Sequence, residues 1–531
     1  MHFTTKFLFF FLLASTCVSL SAQTSEFLRA KVLDQQTGEP VLFATVSIKG
    51  KENGVITNMD GSFRLPIYLR ESGESIEISY MGYKKKEFEL QKLSPNDINI
   101  IRLSPATISL SEAVVSAKRK RNGLSARAIV RKAIASISNN YPAMEFAAIG
   151  YYRDYQIKDD NYVNLNEAIL EVIDKGFNTN DHVSSNVRIY DYSNNINFIH
   201  DPEGEKKYDY KNYKKFIDKA YLDSYGGNEL TILRIHDAIR NHKVNSYDLV
   251  NVLESDFIEN HFFEKENDIQ DDNEVLYVIS FKQSIVKYLA YGKLFISKKD
   301  FAIHKMEYTL YDRLRKVEKG QVNKQGNDNV AIFEVITEYK RKYGKMYPNY
   351  ISFFNTFEVG QPPEFIVEEV LLDGPKGCFI VKFNDLLQEV SAAKKGNYDI
   401  RVEDKKIEID RIKVLETEVE VYPKLSDKDF RNLIFKMDAA QSRRFDLMKL
   451  LSAKVTDVRN KGLVKVNEMK YESYRQFREF FVQEIKANGS VLKDTLFMKK
   501  DIPIFDTIQP IIKLENFDEY WMNTPLKTIN N

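Results

Sequence analysis

His261-Phe262-Phe263-Glu264 is a spacing that could hold a metal. A His-x-x-Glu pair, completed by a distant third His, is a donor set for a hydrolytic zinc. Among seven His, roughly half a match of this kind arises by accident. The nearest downstream His is His304, too close in sequence for such a third ligand. Residues 256–265 also read as an alternating strand, on which side chains three apart point to opposite faces and cannot share an ion. His236 and His242 stand six apart in an expected helix, about 240° around it, so they share no face. His236-Asp237 would be a base with its orienter, but adjacent helix positions diverge. Cys378 sits in Gly377-Cys378-Phe379-Ile380-Val381, where apolar followers predict a buried, inert thiol. Tyr471, Tyr474, Phe477, Phe480 and Phe481, with Arg475, Arg478 and Glu479, read as an amphipathic core segment, with a partner-docking face as the alternative. No Gly-x-Ser-x-Gly elbow, Walker loop, His-Glu-x-x-His or Gly-x-Gly-x-x-Gly occurs. The expectation is therefore no catalytic, cofactor-binding or metal-ligating residue, and no cofactor.

The elements that would have to position any site belong to a chain of 531 residues, long enough for two to four domains. Its 43% hydrophobic and 29% charged residues are those of a globular protein. Lys and Arg number 77 against 76 Asp and Glu, a net +1 that offers no electrostatic footprint for nucleic acid. Residues 1–22 read as a signal peptide: Lys6, the apolar run Phe7–Ala14, then Ser19-Leu20-Ser21-Ala22 before Gln23. That run is shorter than the roughly 20 residues of a membrane anchor. A lipoprotein start at Cys17 is disfavoured by Thr16 before it. Removal of this segment leaves Cys378 alone, so neither an internal disulfide nor a multi-Cys zinc site can form. No later stretch approaches 18 apolar residues, so no helical span is expected in the mature chain.

Residues 23–104 alternate with period two between turn signals. Strand-like runs at Phe27–Leu33, Leu42–Ile48, Ser62–Leu65, Ser75–Tyr80 and Ile98–Leu103 are separated by Gln36–Pro40, Gly50 and Met59-Asp60-Gly61. That pattern predicts a small β-sandwich. Asp34, Thr37–Pro40, Ala44–Val46, Ile48–Gly50, Gly54, Thr57, Asp60–Phe63 and Ser79–Tyr83 follow in an order that resembles the carboxypeptidase-regulatory-like domain, a transthyretin-type (prealbumin-like) sandwich. Asn58 departs from the pattern, which more often has Asp there. The resemblance extends to the strand-like Leu110–Ser116, and it implies an accessory, non-catalytic module of Gram-negative envelope proteins, TonB-dependent transporters among them.

Residues 105–122 then form a strand-like segment and a linker, basic at Lys118–Arg121 and closed by Gly123. Residues 123–390 read as an α+β antiparallel-sheet domain. Ser125 caps a helix carrying Ile129, Val130, Ala133, Ile134 and Ile137. Strands follow at 147–155 and 162–170, and residues 208–260 are mixed, with Leu230, Leu233, Ala238 and Ile239 on one buried helical face. A meander occupies 256–269, 274–283, 292–297, 302–308, 330–339 and 346–359, and such a sheet curls around a helix or ligand. Residues 391–531 read as a mixed C-terminal region packing on that domain, with a helix over 427–451. The body is similar to envelope proteins that pair such a sandwich with a curved antiparallel sheet. The Lys/Glu-rich 405–410 departs from relatives that run on into a barrel, because paired charges do not suit a lipid-facing band.

These expectations sum to a non-enzymatic exported protein that binds or scaffolds at the periplasmic or outer-membrane side. Its partners would be other envelope proteins or an outer-membrane complex. A carrier holding a lipid or other apolar ligand in the curved sheet is the alternative, and a carboxylate-based hydrolase a lesser one, because paired acids leave no sequence signature.

Overall fold

The computed structural model describes residues 26–51, 53–106, 123–195, 197–218, 220–244, 253, 255–271, 274–317, 328–403, 405–442, 451–492, 495–513 and 517–526. The expected signal peptide with Cys17, the Leu110–Ser116 segment and the basic run Lys118–Arg121 lie outside these residues. The chain divides into two compact units: residues 1–209, 215–357 and 473–531, and residues 210–214 with 358–472.

The first unit opens with the expected sandwich. Ser62–Pro66, Phe27–Asp34 and Ile98–Leu103 form one sheet, in that order, with the last two strands parallel. Gly54–Ile56, Thr45–Ile48, Ser75–Ser79 and Lys86–Glu89 form the other. Alternation does the work: Leu28, Ala30 and Val32 point inward from one sheet, Val46, Ile48, Ile76 and Ile78 from the other. The turn before Ser62 needs Gly61, whose φ is +74° and whose added Cβ would lie 2.5 Å from the Val32 carbonyl oxygen. Asp34 ties the motif together, accepting from the Thr37 N–H (2.8 Å) and the Tyr83 hydroxyl (2.7 Å).

The rest of this unit is built on a twelve-stranded, curved antiparallel sheet. Ten strands run Asn186–Asn194, Asn161–Asp174, Phe146–Lys158, Lys470–Lys486, Lys345–Gln361, Asn329–Lys342, Ile303–Lys316, Tyr288–Ser297, Glu274–Ser284 and Phe262–Lys265. The 470–486 strand is inserted between 146–158 and 345–361. The sheet is covered on two faces. On one side the Ala126–Ala135 helix, capped by the Ser125 side chain, buries Ile129, Val130 and Ala133. There His236 stacks on Phe353 at 4.1 Å, and the Tyr339 hydroxyl donates to Asp237 (2.6 Å). On the other side Ile56 of the sandwich clusters with Ile336, Tyr350 and Phe481.

The second unit packs two smaller sheets. Val367–Asp373, Cys378–Phe383, Glu418–Pro423 and Ile409–Val414 form one, and Lys405–Lys406, Tyr398–Val402 and Leu451–Val455 the other. Phe379, Val381, Phe383, Tyr398, Val419 and Val421 make its core, onto which Leu433 of the Asp427–Ser442 helix packs.

Several local expectations are corrected. Residues 256–269 are not one strand: a helix spans Ser255–Asn260 and a strand Phe262–Lys265, and the adjacent Phe257 and Ile258 are both buried, against the alternation of a half-exposed strand. The helix ahead of His236 ends at Ile235, so His236 and His242 do not share one helix. Leu230 and Leu233 lie on that helix while Ala238 and Ile239 follow it, although all four are buried. The helix expected over 427–451 is Asp427–Ser442, and Leu451 already opens a strand.

Candidate functional site

The sandwich is seated on the sheet through buried polar groups. Arg153, 1% exposed, projects from the 146–158 strand and pairs with Glu479 on its neighbour. Its Nη1 donates to Asn58 Oδ1 of the sandwich. Asn58, the residue that departs from the domain pattern, is therefore the one that receives the sheet's arginine. A carboxylate there would place a second negative charge beside Glu479. Tyr350 donates its hydroxyl to Glu479 (2.8 Å), and Gln483 Nε2 donates to the Gly54 carbonyl (3.0 Å). Burial of this kind is tolerable only when each charge is paired and hydrogen-bonded.

Between the two lies a cleft of about 230 Å³. Phe43, Tyr80 and Met81 line it from the sandwich, and Glu274, His304 and Arg341 from the sheet. His304 is held between two carboxylates, with Nδ1 3.3 Å from Asp271 Oδ2 and Nε2 3.3 Å from Glu274 Oε2. Burial alone would raise the Glu274 carboxyl, but the Arg341 guanidinium (2.8 Å) and the Ser297 hydroxyl (2.7 Å) hold it down to about 2. Arg341 also reaches Asp300 (2.9 Å). The cleft thus presents fixed alternating charge beside aromatic surface. Its volume lies below the ~300–1,000 Å³ usual for drug-sized ligands. That is room for a side chain or small polar group.

A second cavity, about 80 Å³, lies on the helix side of the sheet and is lined by Asp154, Gln156, Asn164, Lys215, Glu229 and Gln476 among others. Burial, reinforced by Glu229, pushes the Asp154 carboxyl up to about 7, against hydrogen bonds from Asn166 and Tyr152. Burial likewise brings the Lys215 ammonium down to about 8, with Glu229 opposing. Lys215 Nζ donates to the Gly204 carbonyl (2.5 Å) and lies 4.4 Å from the Phe357 ring centroid. Arg478 pairs with Glu229 and donates to Asn355 (2.7 Å). An acid and an amine that both titrate near neutrality can exchange protons. The space between them takes only a few water molecules.

Sequence reasoning missed both arrangements. Their residues come from strands, a helix and turns remote in sequence, and the only available signal was charge placed inside otherwise apolar strands. The residues it did single out are dispersed. His261 is buried among Phe257, Phe263 and Phe281, while Glu264 is exposed on the opposite face of the strand. His304 lies three strands away from that edge. His236 and His242 each face a backbone carbonyl, at Ile232 and Ile239. Cys378 is fully buried in its strand, and burial pushes its thiol up. Tyr474, Phe477, Phe480 and Phe481 are buried as expected, on the 470–486 strand, with Tyr471 45% exposed. Among the described residues, no group of three or more His, Cys, Asp or Glu is placed to hold a metal ion, and no helix is long and apolar enough to cross a membrane.

Comparison with known proteins bears on the N-terminal part of the chain. The TonB-dependent receptor SusC of Bacteroides thetaiotaomicron is 33% identical over 104 residues, 20% of this chain and 10% of that receptor. The chain therefore spans a small fraction of this relative. A solved structure, a putative outer membrane lipoprotein-sorting protein domain from Vibrio parahaemolyticus, aligns with 43% of this chain and 84% of its own at 10% identity. Its TM-score is 0.19, too low to support an argument. Residues 28–115 match the CarboxypepD_reg-like domain family, so the sandwich that opens this chain is a module of that kind, accessory and not catalytic.

Proposed function

We propose that this chain is an exported envelope protein that works by binding, and that the cleft between sandwich and sheet receives a charged segment of a partner protein. The observation that carries this reading is the Arg153–Asn58 and Gln483–Gly54 seating, which pre-forms a cleft with a fixed ionic wall. A preformed cleft spends little binding energy on ordering its own walls. The envelope setting is supported by the apolar N-terminal run and by the receptor that shares the N-terminal module. Catalysis gains no support from the buried acids, which are engaged by Arg, Tyr or Asn partners. The carrier reading needs an apolar cavity, and the helix-facing side chains around Phe353 and Tyr339 are instead packed against helix and turn residues.

The test is photo-crosslinking in intact envelopes with a crosslinker at Met81, on the half-buried sandwich rim of the cleft. One discrete adduct, its yield clearly changed when His304→Glu adds negative charge to the wall (lost for an anionic segment, raised for a cationic one), is the expected result. A ladder of unrelated adducts, or one unaffected by that change, would sink the proposal. Mass spectrometry of the mature N-terminus checks export, with Gln23 expected first. Retained Met1 would overturn cleavage.

A further inference from the structure

We propose that one end of the curved sheet is a docking surface for an anionic lipid bilayer. Its centre is the tight turn after Ser284, where the Ile285 N–H donates to the Tyr288 carbonyl (3.0 Å) and leaves Val286 and Lys287 at the tip. Val286 is 86% exposed, Ile285 41% and Leu314 64%. Leu314 belongs to the adjoining strand, which is fixed beside the turn by Arg313. The Arg313 backbone N–H donates to the Lys287 carbonyl (3.0 Å), and its Nη1 donates to the Ile285 carbonyl (2.9 Å). Three aliphatic side chains therefore share one projecting edge.

Cations surround that edge. Lys282, Lys287, Arg313, Arg315 and Lys316 all lie within a few residues of it. Arg315 is matched by Asp218 (3.3 Å) and Lys316 by Asp328 (2.7 Å). Among the described residues, no carboxylate forms an ion pair with Lys282, Lys287 or Arg313. A chain whose total charge is +1 thus concentrates a basic excess at the same edge as its exposed aliphatic tip. The two features act on different parts of a bilayer. Basic side chains are drawn to the negative surface potential, within about one Debye length. Aliphatic side chains gain by entering the boundary between headgroups and acyl chains. An acidic protein would answer the charge alone. A projecting turn offers it no concave surface, and far less than the ~800 Å² per partner of a stable protein interface.

The test uses the purified chain, without residues 1–22, and vesicles of phosphatidylcholine with or without phosphatidylglycerol. Co-sedimentation is expected with phosphatidylglycerol present, about tenfold weaker without it, and falling as salt rises. Val286→Asp with Leu314→Asp should weaken binding about tenfold at an unchanged far-UV spectrum, since both side chains are exposed. Lys282→Glu with Lys287→Glu should do the same. Equal sedimentation with both vesicles, none with either, or an unchanged Val286/Leu314 variant would overturn the proposal. So would soluble polyglutamate competing fully at matched charge, which would point to an acidic polypeptide instead. Vesicles contain no protein partner, so failure here leaves the cleft reading standing, and the reverse also holds.

Discussion

Replacing Trp521 by Ala should destabilise the N-terminal sandwich by about 4 kcal/mol, the middle of the range for emptying a core tryptophan site. Trp521 is the only tryptophan in the chain, is 5% exposed, and lies inside the sandwich core although it comes from the far end of the sequence. Its Nε1–H donates to the Arg64 carbonyl (3.2 Å), so truncation also leaves a carbonyl without that partner. The segment around it bridges the edge strands of both sheets. The Arg64 N–H donates to Asn523 Oδ1 (2.9 Å), and Asn523 Nδ2 donates to the Ile56 carbonyl (2.6 Å). Covering two edges removes the unpaired backbone that would otherwise template aggregation. Against a typical domain stability of about 5–15 kcal/mol, the loss is a large fraction of the whole. Urea unfolding followed by circular dichroism measures it for Trp521→Ala and for Trp521→Phe, which keeps ring volume and should cost about half as much. The wild-type indole supplies an independent check. It should emit as a buried chromophore, resist a soluble quencher, and shift to the red on unfolding. A change below about 0.5 kcal/mol for Trp521→Ala, the scale of ordinary surface substitutions, would refute the reasoning. So would a native indole as quenchable as free tryptophan. By the same logic, residues 23–104 made alone should unfold cooperatively but at lower denaturant than in the whole chain.

The buried pair Asp154 and Lys215 makes stability depend on pH. A folded carboxyl raised from 3.8 to about 7 means the folded state holds the proton longer, so stability is lost as pH rises from about 4 to about 7, by at most ~4 kcal/mol. A folded ammonium lowered from 10.5 to about 8 means stability returns as pH rises from about 8 to 10.5. Urea midpoints at pH 5, 7.5 and 10 should therefore show a minimum in the middle, flattened on the acid side by Asp154→Asn; an unchanged acid limb in that variant would refute the assignment. Arg153→Met should cost about 3–5 kcal/mol by stranding the Glu479 charge, and Glu479→Leu added to it should recover much of the loss, as read by thermal melts. Cys378, in a chain lacking residues 1–22, should react with a thiol reagent only at the unfolding rate, and prompt reaction in the native state would contradict its burial. His261→Ala with Glu264→Ala should leave zinc at background, whereas stoichiometric zinc in the wild type, lost in the variant, would revive a hydrolase.

The sandwich was legible because each of its strands obeys one local rule. Alternation in Phe27–Asp34 sends Leu28, Ala30 and Val32 one way, and Gly61 permits a turn that other residues strain to make. The meander from 274 to 359 was legible for the same reason, although the strand expected at 302–308 runs on to Lys316 and the one expected at 292–297 starts at Tyr288. The tail was not. Nothing in Tyr520-Trp521-Met522-Asn523 indicates that its partners are Arg64 and Ile56, since the contact spans more than four hundred positions. The 255–265 segment misled because Phe257, Ile258 and Phe263 satisfy a helix followed by a strand as well as one continuous strand. Only the strand 274–284 beside it decides between the two.

The polar sites escaped for a different physical reason. A charge in a strand normally marks the solvated face, which is why Arg478 and Glu479 read as the polar positions of an amphipathic segment, while Arg153 on the 146–158 strand drew no reading. In this sheet both faces are covered, so neighbouring positions on the 470–486 strand serve two interiors. Arg478 turns to Glu229 on the helix side and Glu479 to Arg153 beneath the sandwich. The periodicity survives, but it separates two buried environments instead of core from water. Each environment then selects its own charge. The sandwich side pairs an arginine with a carboxylate and a neutral asparagine, so that Asn58 at the place of the more usual acid avoids a second negative charge next to Glu479. Asn58→Asp tests that argument directly. If repulsion from Glu479 decides, the variant should lose stability progressively as pH rises through the carboxylate range, whereas a loss independent of pH would mean that shape and not charge makes asparagine fit.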